Sequence, residues 1–140
     1  MPTDTCGKVM VIDDDALFAA SVKRMLERQG YTVITHDGGP GCCKAADAFE
    51  ADLVLVDVKM PFLSGDAFVW LFRPRPGLCD ASIVLYSGLD EVTLKRKAEE
   101  CGAHGYISKT ESALEFARKV AGYIRRSQRS IKVHGTEPTQ

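Results

Sequence analysis

The sequence predicts an α/β fold in which helices cover both faces of a doubly wound, five-stranded parallel sheet. Short apolar segments alternate with longer amphipathic segments five times along the chain. The apolar segments contain almost no charged residue, which is typical of parallel strands that are buried on both faces. The length of 140 residues suits a single domain of this kind.

The apolar and amphipathic segments predict the individual elements in order. Strands are expected at residues 8–12, 31–35, 53–56, 82–86 and 106–108. Helices are expected at residues 15–29, 42–50, 66–72, 90–101 and 112–127. Gly30 and Gly102 are the expected stops of the first and fourth helices. The helical period predicts that the last helix buries a stripe formed by Leu114, Ala117, Ala121 and Ile124.

The chain is expected to hold one domain with short extensions at both ends. We expect residues 1–7 to be an N-terminal lead and residues 8–127 to form the domain. Residues 128–140 are polar and include Gly135 and Pro138, so they are expected to form a flexible tail. The sequence contains no internal repeat and no sign of a second domain.

Charge and hydropathy exclude several classes of function. The 18 basic and 19 acidic residues give a net charge of -1, which does not favour nucleic-acid or membrane-surface binding. The longest apolar runs fall far short of the roughly 20 residues that a membrane span needs. The first residues contain no apolar stretch of a signal peptide, so a cytoplasmic protein is expected.

One stretch near the C-terminus departs from this even balance of charge. Residues 118–132 contain six basic residues and no acidic one. A solvated helix end, favoured by the helix dipole, explains such a run, and a partner-binding patch is the alternative. The basic residues are Arg118, Lys119, Arg125, Arg126, Arg129 and Lys132.

The cysteines indicate reduced thiols. Their number is five, and Cys42 and Cys43 are adjacent, which is too constrained for an ordinary structural disulfide. A redox role for this pair is the alternative. Because no C-x-x-C pair exists and the three histidines are scattered, a zinc site is not expected.

Polar residues follow four of the predicted strands. Asp13 and Asp14 follow the first strand, Asp57 the third, Ser87 the fourth and Lys109 the fifth. With a strand order of 2-1-3-4-5, these strand ends converge where ligands bind in open parallel sheets. Taken singly, each of these residues is also explained as a helix cap, a turn residue or a solvated side chain. Asp15, which follows Asp14, is the expected helix cap.

The types of these residues predict a phosphoryl site. Crowded carboxylates repel each other unless a cation lies among them, and ligands that are all oxygen favour Mg²⁺. A lysine and a hydroxyl beside that cation are suited to neutralise and to hydrogen-bond phosphoryl oxygens. A carboxylate is able to carry the phosphoryl group itself as an aspartyl phosphate. No phosphate-binding P-loop motif is present, so a bound nucleotide is not implied.

Residues 8–127 resemble the receiver domain of bacterial two-component response regulators, a flavodoxin-like (βα)₅ fold. The resemblance rests on four segments: Val11-Ile-Asp-Asp-Asp15, Leu55-Val-Asp-Val-Lys-Met-Pro61 with Ser64-Gly65, Leu85-Tyr-Ser-Gly88, and Gly102-Ala-His-Gly-Tyr-Ile-Ser-Lys109. It implies a phosphorylation-operated signalling switch that catalyses only its own phosphorylation and dephosphorylation. It also implies a histidine kinase or histidine phosphotransfer protein as donor, a downstream protein target or output domain, and a dimer that forms on phosphorylation.

The resemblance also implies a role for each site residue. Asp57 is the expected phosphoacceptor and Lys109 the partner of the phosphoryl group. Ser87 is the switch hydroxyl, and Tyr106 is the aromatic residue that turns inward when Ser87 is recruited. The expected Mg²⁺ ligands are Asp13 through water, Asp14, Asp57 and the backbone carbonyl of Lys59.

One position departs from the family's pattern. The family usually has a proline after the lysine, with a cis peptide that aims the lysine side chain. Here Thr110 follows Lys109. A cis peptide before a residue other than proline costs on the order of 3 kcal/mol, so the sequence leaves open a strained cis bond or a trans loop.

Two other functions fit part of the pattern. Asp13-Asp14-Asp15 contains the Asp-x-Asp spacing of small haloacid-dehalogenase-like phosphatases, in which Asp13 would be the nucleophile and Asp15 the acid/base. The short chain, without a cap region or a late acidic cluster, argues against this function. The other is an interaction module that is not phosphorylated. The presence of every residue of the predicted phosphoryl site argues against this function.

Overall fold

The computed structural model describes residues 6–61, 64–73, 75–78 and 80–136, with all of their side chains except those of Asp66, Pro76 and residues 129–136. The strands are β1 (Lys8–Ile12), β2 (Thr32–His36), β3 (Leu53–Val56), β4 (Ser82–Ser87) and β5 (Gly105–Ser108). The helices are α1 (Ala16–Arg28), α2 (Cys42–Phe49), α3 (Gly65–Phe72), α4 (Glu91–Cys101) and α5 (Ala113–Thr136). A 3₁₀ turn at Pro76–Leu78, which the sequence pattern does not predict, follows α3.

The strands form one parallel sheet in the order β2-β1-β3-β4-β5. This order and the parallel direction confirm the fold class predicted from the sequence. Strands β3 and β4 are buried along their whole length. The carboxyl ends of β1 and β3 are neighbours because Ile12 pairs with Val56.

Alternate residues of each strand face two separate apolar cores. Met10, Val54 and Leu85 contribute to the core that α2, α3 and α4 cover, together with Phe72 and Leu94. The residues next to them along the strands point to the opposite face, where α1 and α5 cover the second core. The two-sided burial explains why the strands are apolar without a period of two.

Helix ends follow the capping signals in the sequence. Asp15 is the N-cap of α1, and its side chain accepts a hydrogen bond from the Phe18 N–H at 3.1 Å. Asp90 caps α4 in the same way through the Thr93 N–H. Gly102 ends α4 with a φ of +80°, in the left-handed region that glycine adopts at low cost.

The buried face of α5 differs from the predicted one. Leu114 is exposed, and Ala117 and Ala121 are only partly buried, so three of the four predicted stripe residues are wrong. Phe116, Val120 and Ile124 form the buried stripe instead. These residues recur every four positions, whereas the predicted stripe recurs every three or four, and they include the larger side chains Phe116 and Val120 in place of alanines.

The last helix is also longer than predicted. It continues past Ser127 to Thr136, which includes most of the segment expected to be a loose tail. Gln128, Arg129 and Lys132 have high helix propensity, and a single glycine near a helix end costs only about 1 kcal/mol. The rest of the tail, residues 137–140, lies outside the described residues, as do residues 1–5 of the predicted lead.

The described cysteines, Cys6, Cys42, Cys43 and Cys101, carry no disulfide bond, whereas Cys79 lies outside the described residues. Burial raises the pKa of the Cys42 thiol to about 12, so this thiol stays protonated at neutral pH. That protonation argues against Cys42 as a redox nucleophile. Among the described helices, none combines the length and the hydrophobicity that crossing a bilayer would require.

Candidate functional site

Three carboxylates converge at the carboxyl ends of β1 and β3. Asp13 and Asp57 are buried and Asp14 is exposed, and each offers an oxygen atom that lies within 4.8 Å of the others. The Asp57 N–H donates to the Ile12 carbonyl and the Asp13 N–H to the His36 carbonyl, so the strand ladders hold both residues in place. This arrangement of oxygen ligands is suited to a hard divalent cation.

The surroundings of Asp57 disfavour its charge. Burial raises the pKa of its carboxyl group, and the neighbouring Asp13 carboxylate raises it further. The Lys109 ammonium and a hydrogen bond from the Lys59 backbone N–H act in the opposite direction. A bound cation would offset the remaining cost of the charge at Asp57, so the residues present fit a divalent metal.

Lys109 provides the positive charge of this site from the end of β5. Its ammonium nitrogen lies 2.7 Å from Asp13 Oδ2 and 3.6 Å from Asp57 Oδ2. The Lys109 backbone N–H donates to the Ser87 carbonyl at 2.8 Å, which anchors the lysine to the end of β4. The other Asp13 oxygen, Oδ1, accepts the Asp15 N–H at 2.9 Å, so both oxygens of Asp13 are engaged.

Ser87 and Tyr106 lie at different depths along the sheet. Ser87 ends β4, is buried, and its Oγ accepts the Leu89 N–H at 3.2 Å. It pairs with Ser108, whereas Tyr106 pairs with Leu85 two residues earlier, so Tyr106 is set back from the strand ends. The Tyr106 side chain is partly buried against the core that contains α4.

The loop after Lys109 resolves the alternative that the sequence left open. The peptide between Lys109 and Thr110 is trans. The Thr110 N–H donates to Ser108 Oγ at 3.1 Å, and the two hydroxyl oxygens of these residues lie 2.7 Å apart. Proline has no N–H, so threonine provides a hydrogen bond that a proline at this position would lack.

The basic stretch of α5 is partly neutralised within the chain. Arg118 pairs with Glu115, and Lys119 pairs with Glu111. Arg126 donates to Ser82 Oγ at 3.1 Å. These contacts favour a solvated helix face.

Two residues of the site were missed by the sequence analysis as functional residues. The Phe18 ring of α1, which the sequence analysis did not single out, has its centroid 4.5 Å from the Lys109 ammonium nitrogen. Its place one helical turn after Asp14 was an available signal, because helical side chains lean toward the N-terminus. Gly65, at the start of α3, lies against the backbone of Asp57. No local pattern in the sequence indicates that contact.

Several known proteins have sequences similar to that of this chain. Residues 9–121 match the response regulator receiver domain family. The chain is 31% identical to the alkaline phosphatase synthesis transcriptional regulatory protein PhoP of Bacillus subtilis, over 86% of this chain and 50% of PhoP. It is 33% identical to the response regulator GacA of Pseudomonas aeruginosa, over 81% of this chain and 53% of GacA. The chain thus spans about half the length of these curated relatives.

A solved structure resembles this chain over almost the entire length of that structure. The chemotaxis response regulator CheY4 of Vibrio cholerae superposes with a TM-score of 0.72 and 26% identity, over 83% of this chain and 97% of CheY4. The sheet order, the carboxylates at two strand ends and the sequence matches lead to the same assignment. The chain belongs to the response regulator receiver domain family.

Proposed function

We propose that this chain is a phosphorylation-operated switch of a two-component phosphorelay and accepts a phosphoryl group on Asp57. The observation that carries the proposal is the joint position of the Asp57 carboxylate, two further carboxylates and the Lys109 ammonium at one edge of the sheet. Asp57 directly follows the inner strand β3, and its N–H donates to the Ile12 carbonyl, so the sheet fixes its backbone. A carboxylate anchored in this way beside a positive charge is suited to phosphoryl transfer, which depends mainly on positioning and charge neutralisation.

The proposed donor is a histidine kinase or a histidine phosphotransfer protein. An Asp57 carboxylate oxygen attacks the phosphorus of the donor's phosphohistidine, and the P–N bond breaks as the P–O bond forms. The electron pair of the P–N bond goes to the imidazole nitrogen, which takes a proton from water. To switch off, water attacks the phosphorus, the P–O bond to Asp57 breaks, and the free carboxylate is restored as inorganic phosphate leaves and the proton of the water passes to solvent.

Each side chain of the site has a proposed part in this step. Lys109 neutralises part of the charge on the phosphoryl oxygens, and the Ser87 hydroxyl donates a hydrogen bond to one of them. We propose Mg²⁺ as the cofactor, with Asp14, Asp57 and the Lys59 carbonyl as direct ligands and Asp13 as a ligand through water. When bound, Mg²⁺ would supply further neutralisation of the phosphoryl charge.

We propose that Ser87 and Tyr106 couple phosphorylation of Asp57 to a change at the protein surface. Movement of Ser87 toward a phosphoryl group would open space for Tyr106 to turn inward, which changes the surface near β5. A downstream protein or an output domain then binds this surface. Formation of a dimer on phosphorylation is one way in which the change is transmitted. The relative PhoP is by name a transcriptional regulatory protein, which supports such an output. We place the switch in the cytoplasm without membrane contact, and we propose that this chain itself does not bind nucleic acid.

Labelling with a small phosphodonor such as acetyl phosphate tests the acceptor. We expect Mg²⁺-dependent, base-labile label on the parent chain and none on Asp57→Asn. Label that persists on Asp57→Asn and maps to Asp13 would instead support the haloacid-dehalogenase-like phosphatase. The engagement of both Asp13 oxygens argues against Asp13 as that nucleophile.

The metal assignment has its own test. Asp14→Asn removes one proposed direct ligand from an exposed position, so the fold should be unaffected. We expect weaker Mg²⁺ binding in a direct titration and little or no labelling of Asp57. Undiminished Mg²⁺-dependent labelling of this variant would contradict the assignment, and absence of Mg²⁺ binding by the parent would favour an interaction module without phosphorylation.

A further inference from the structure

The Lys109 ammonium has three neighbours of different kinds. Two are the carboxylates of Asp13 and Asp57, at 2.7 Å and 3.6 Å. The third is the ring of Phe18, whose centroid lies 4.5 Å from the same nitrogen. A cation within about 6 Å of an aromatic centroid is attracted by the ring quadrupole.

The three neighbours would respond differently to a bound divalent cation. Both carboxylates belong to the group that is suited to hold the cation, so its positive charge would weaken their attraction for the lysine and would repel the ammonium. The Phe18 ring is not a ligand of a hard cation and has no competing partner of this kind. Its attraction for the ammonium would therefore remain when the metal is bound.

The position of the Phe18 ring is itself supported by other aromatic residues. Phe18 is partly buried at the start of α1 and packs on Tyr86 with a centroid distance of 5.7 Å and an interplanar angle of 43°. Tyr86 is buried and stacks on Phe116 of α5 at 5.0 Å and 19°. A side chain held by packing keeps its geometry, which a positioning contact requires.

We propose that Phe18 is a positioning residue, which holds the Lys109 ammonium beside Asp57 while the carboxylates bind the metal. The proposal rests on the proposed function of Asp57 and Lys109 in phosphoryl transfer. Phe18 does not touch the reacting atoms and acts through the lysine. In this role the ring, rather than its apolar volume, is the required feature.

Two substitutions and one control separate the ring from its volume. Phe18→Leu keeps an apolar side chain of similar size but removes the ring, whereas Phe18→Tyr keeps the ring. Phe49→Leu is the matched control, because the Phe49 ring lies 5.7 Å from the Lys8 ammonium nitrogen near the start of β1, at the opposite edge of the sheet. All variants are compared in the full chain with acetyl phosphate and saturating Mg²⁺.

We expect Phe18→Leu to be phosphorylated about three- to tenfold more slowly than the parent, the range that a partly desolvated cation–π contact supports. Phe18→Tyr should stay within about twofold of the parent, since the ring remains. Phe49→Leu should match the parent. A rate for Phe18→Leu equal to that of the parent would overturn the proposal.

A double-mutant comparison excludes a general structural effect. If the ring acts through the lysine, Phe18→Leu should cause no further loss of rate in a Lys109→Ala background. An equal loss in both backgrounds would show that Phe18 only supports the fold and would overturn the proposal. We also expect the NMR signals of the Lys109 ε-methylene group to lose an upfield ring-current shift in Phe18→Leu.

That NMR measurement distinguishes failure of this inference from failure of the proposed function. If the parent chain accepts no label, the phosphoryl-transfer function is wrong and the role of Phe18 in it is overturned as well. If the parent is labelled but the ε-methylene signals are the same with and without the ring, only the Phe18 contact is wrong. The proposed function and the role of Phe18 would both be supported by three results together: the parent is labelled, Phe18→Leu is labelled more slowly, and the ring-current shift is lost in Phe18→Leu.

Discussion

Gly65 and Asp57 are in close backbone contact, although eight positions separate them in the sequence. A methyl group added at Gly65 would lie 2.8 Å from the carbonyl carbon of Asp57 and 2.9 Å from the Cα of Val58. The Gly65 N–H also donates to the Val58 carbonyl at 3.0 Å. The start of α3 therefore rests directly on the residue that we propose as phosphoacceptor, and only glycine fits there.

Gly65→Ala should displace the backbone of Asp57. Because the obstructing atoms are backbone, we expect a loss of stability of about 1–3 kcal/mol, as for other overpacked sites. We also expect slower labelling of Asp57 at temperatures where the variant is fully folded. Gly122→Ala in α5 is the control, since among the described residues its added carbon would meet only an Arg125 nitrogen at 3.9 Å, and the alanine should stabilise the helix by up to about 1 kcal/mol. Unchanged urea unfolding of Gly65→Ala would contradict this prediction.

Asp57→Asn should stabilise the metal-free chain at neutral pH. Burial raises the folded-state pKa of the Asp57 carboxyl group above its unfolded value, so the charged form carries a cost in the folded state. This cost is absent below the unfolded pKa of about 3.9 and grows as the pH rises through the folded-state pKa. Urea unfolding in a chelating buffer should show a stability gain for the variant at pH 7 that shrinks toward pH 4. A gain that is independent of pH would show that charge is not its cause.

His104 should make the stability of the fold depend on pH below neutrality. Its Nδ1 accepts the Ile83 N–H at 2.9 Å, and its own backbone N–H donates to the Ile83 carbonyl. Burial, with Arg126 and Arg73 nearby, lowers the pKa of the imidazole from 6.5 to about 4. Because the unfolded chain takes up the proton first, the stability from neutral His104 is present above pH 6.5 and is lost as the pH falls toward 4.

Two variants at position 104 test that assignment. His104→Asn retains an acceptor at the place of Nδ1 without the titration, so its unfolding free energy should fall less between pH 7 and pH 5 than that of the parent. His104→Ala leaves the Ile83 N–H unpaired and should cost about 1–3 kcal/mol at pH 7. Equal pH dependence of the parent and His104→Asn would assign the effect to other groups.

Ser87→Ala should separate phosphorylation from signalling. Lys109 remains to hold the phosphoryl group, so we expect the variant to accept label while the coupling to Tyr106 is lost. Coupling between sites is typically about 1–3 kcal/mol, which hydrogen exchange over residues 86–110 would detect with and without beryllofluoride. Lys109→Ala should be impaired more strongly, because it removes the ammonium that lies 3.6 Å from Asp57 Oδ2. A full response of Ser87→Ala would mean that the signal leaves by another route.

The sequence by itself determined the order and type of the main elements and the strand ends that carry chemistry. In runs such as Leu53–Val56, the side chains on both faces of the strand are apolar, which specifies an inner parallel strand. The residue that follows such a run lies at the carboxyl edge of the sheet. Asp13, Asp57 and Lys109 could be placed together on this basis. Local signals also placed the N-cap at Asp15 and the stop of α4 at Gly102, because capping depends on neighbours in the chain.

Only the tertiary structure decided the features that depend on contacts between distant segments. The face of α5 that is buried follows from the space between β-sheet and helix, which Phe116 fills and Leu114 does not reach. The contact between Phe18 and Lys109 joins the first helix to the end of the last strand. A sequence pattern reports which residues alternate along one segment, whereas distances between segments are set by packing, and these distances position Lys109 beside Asp57.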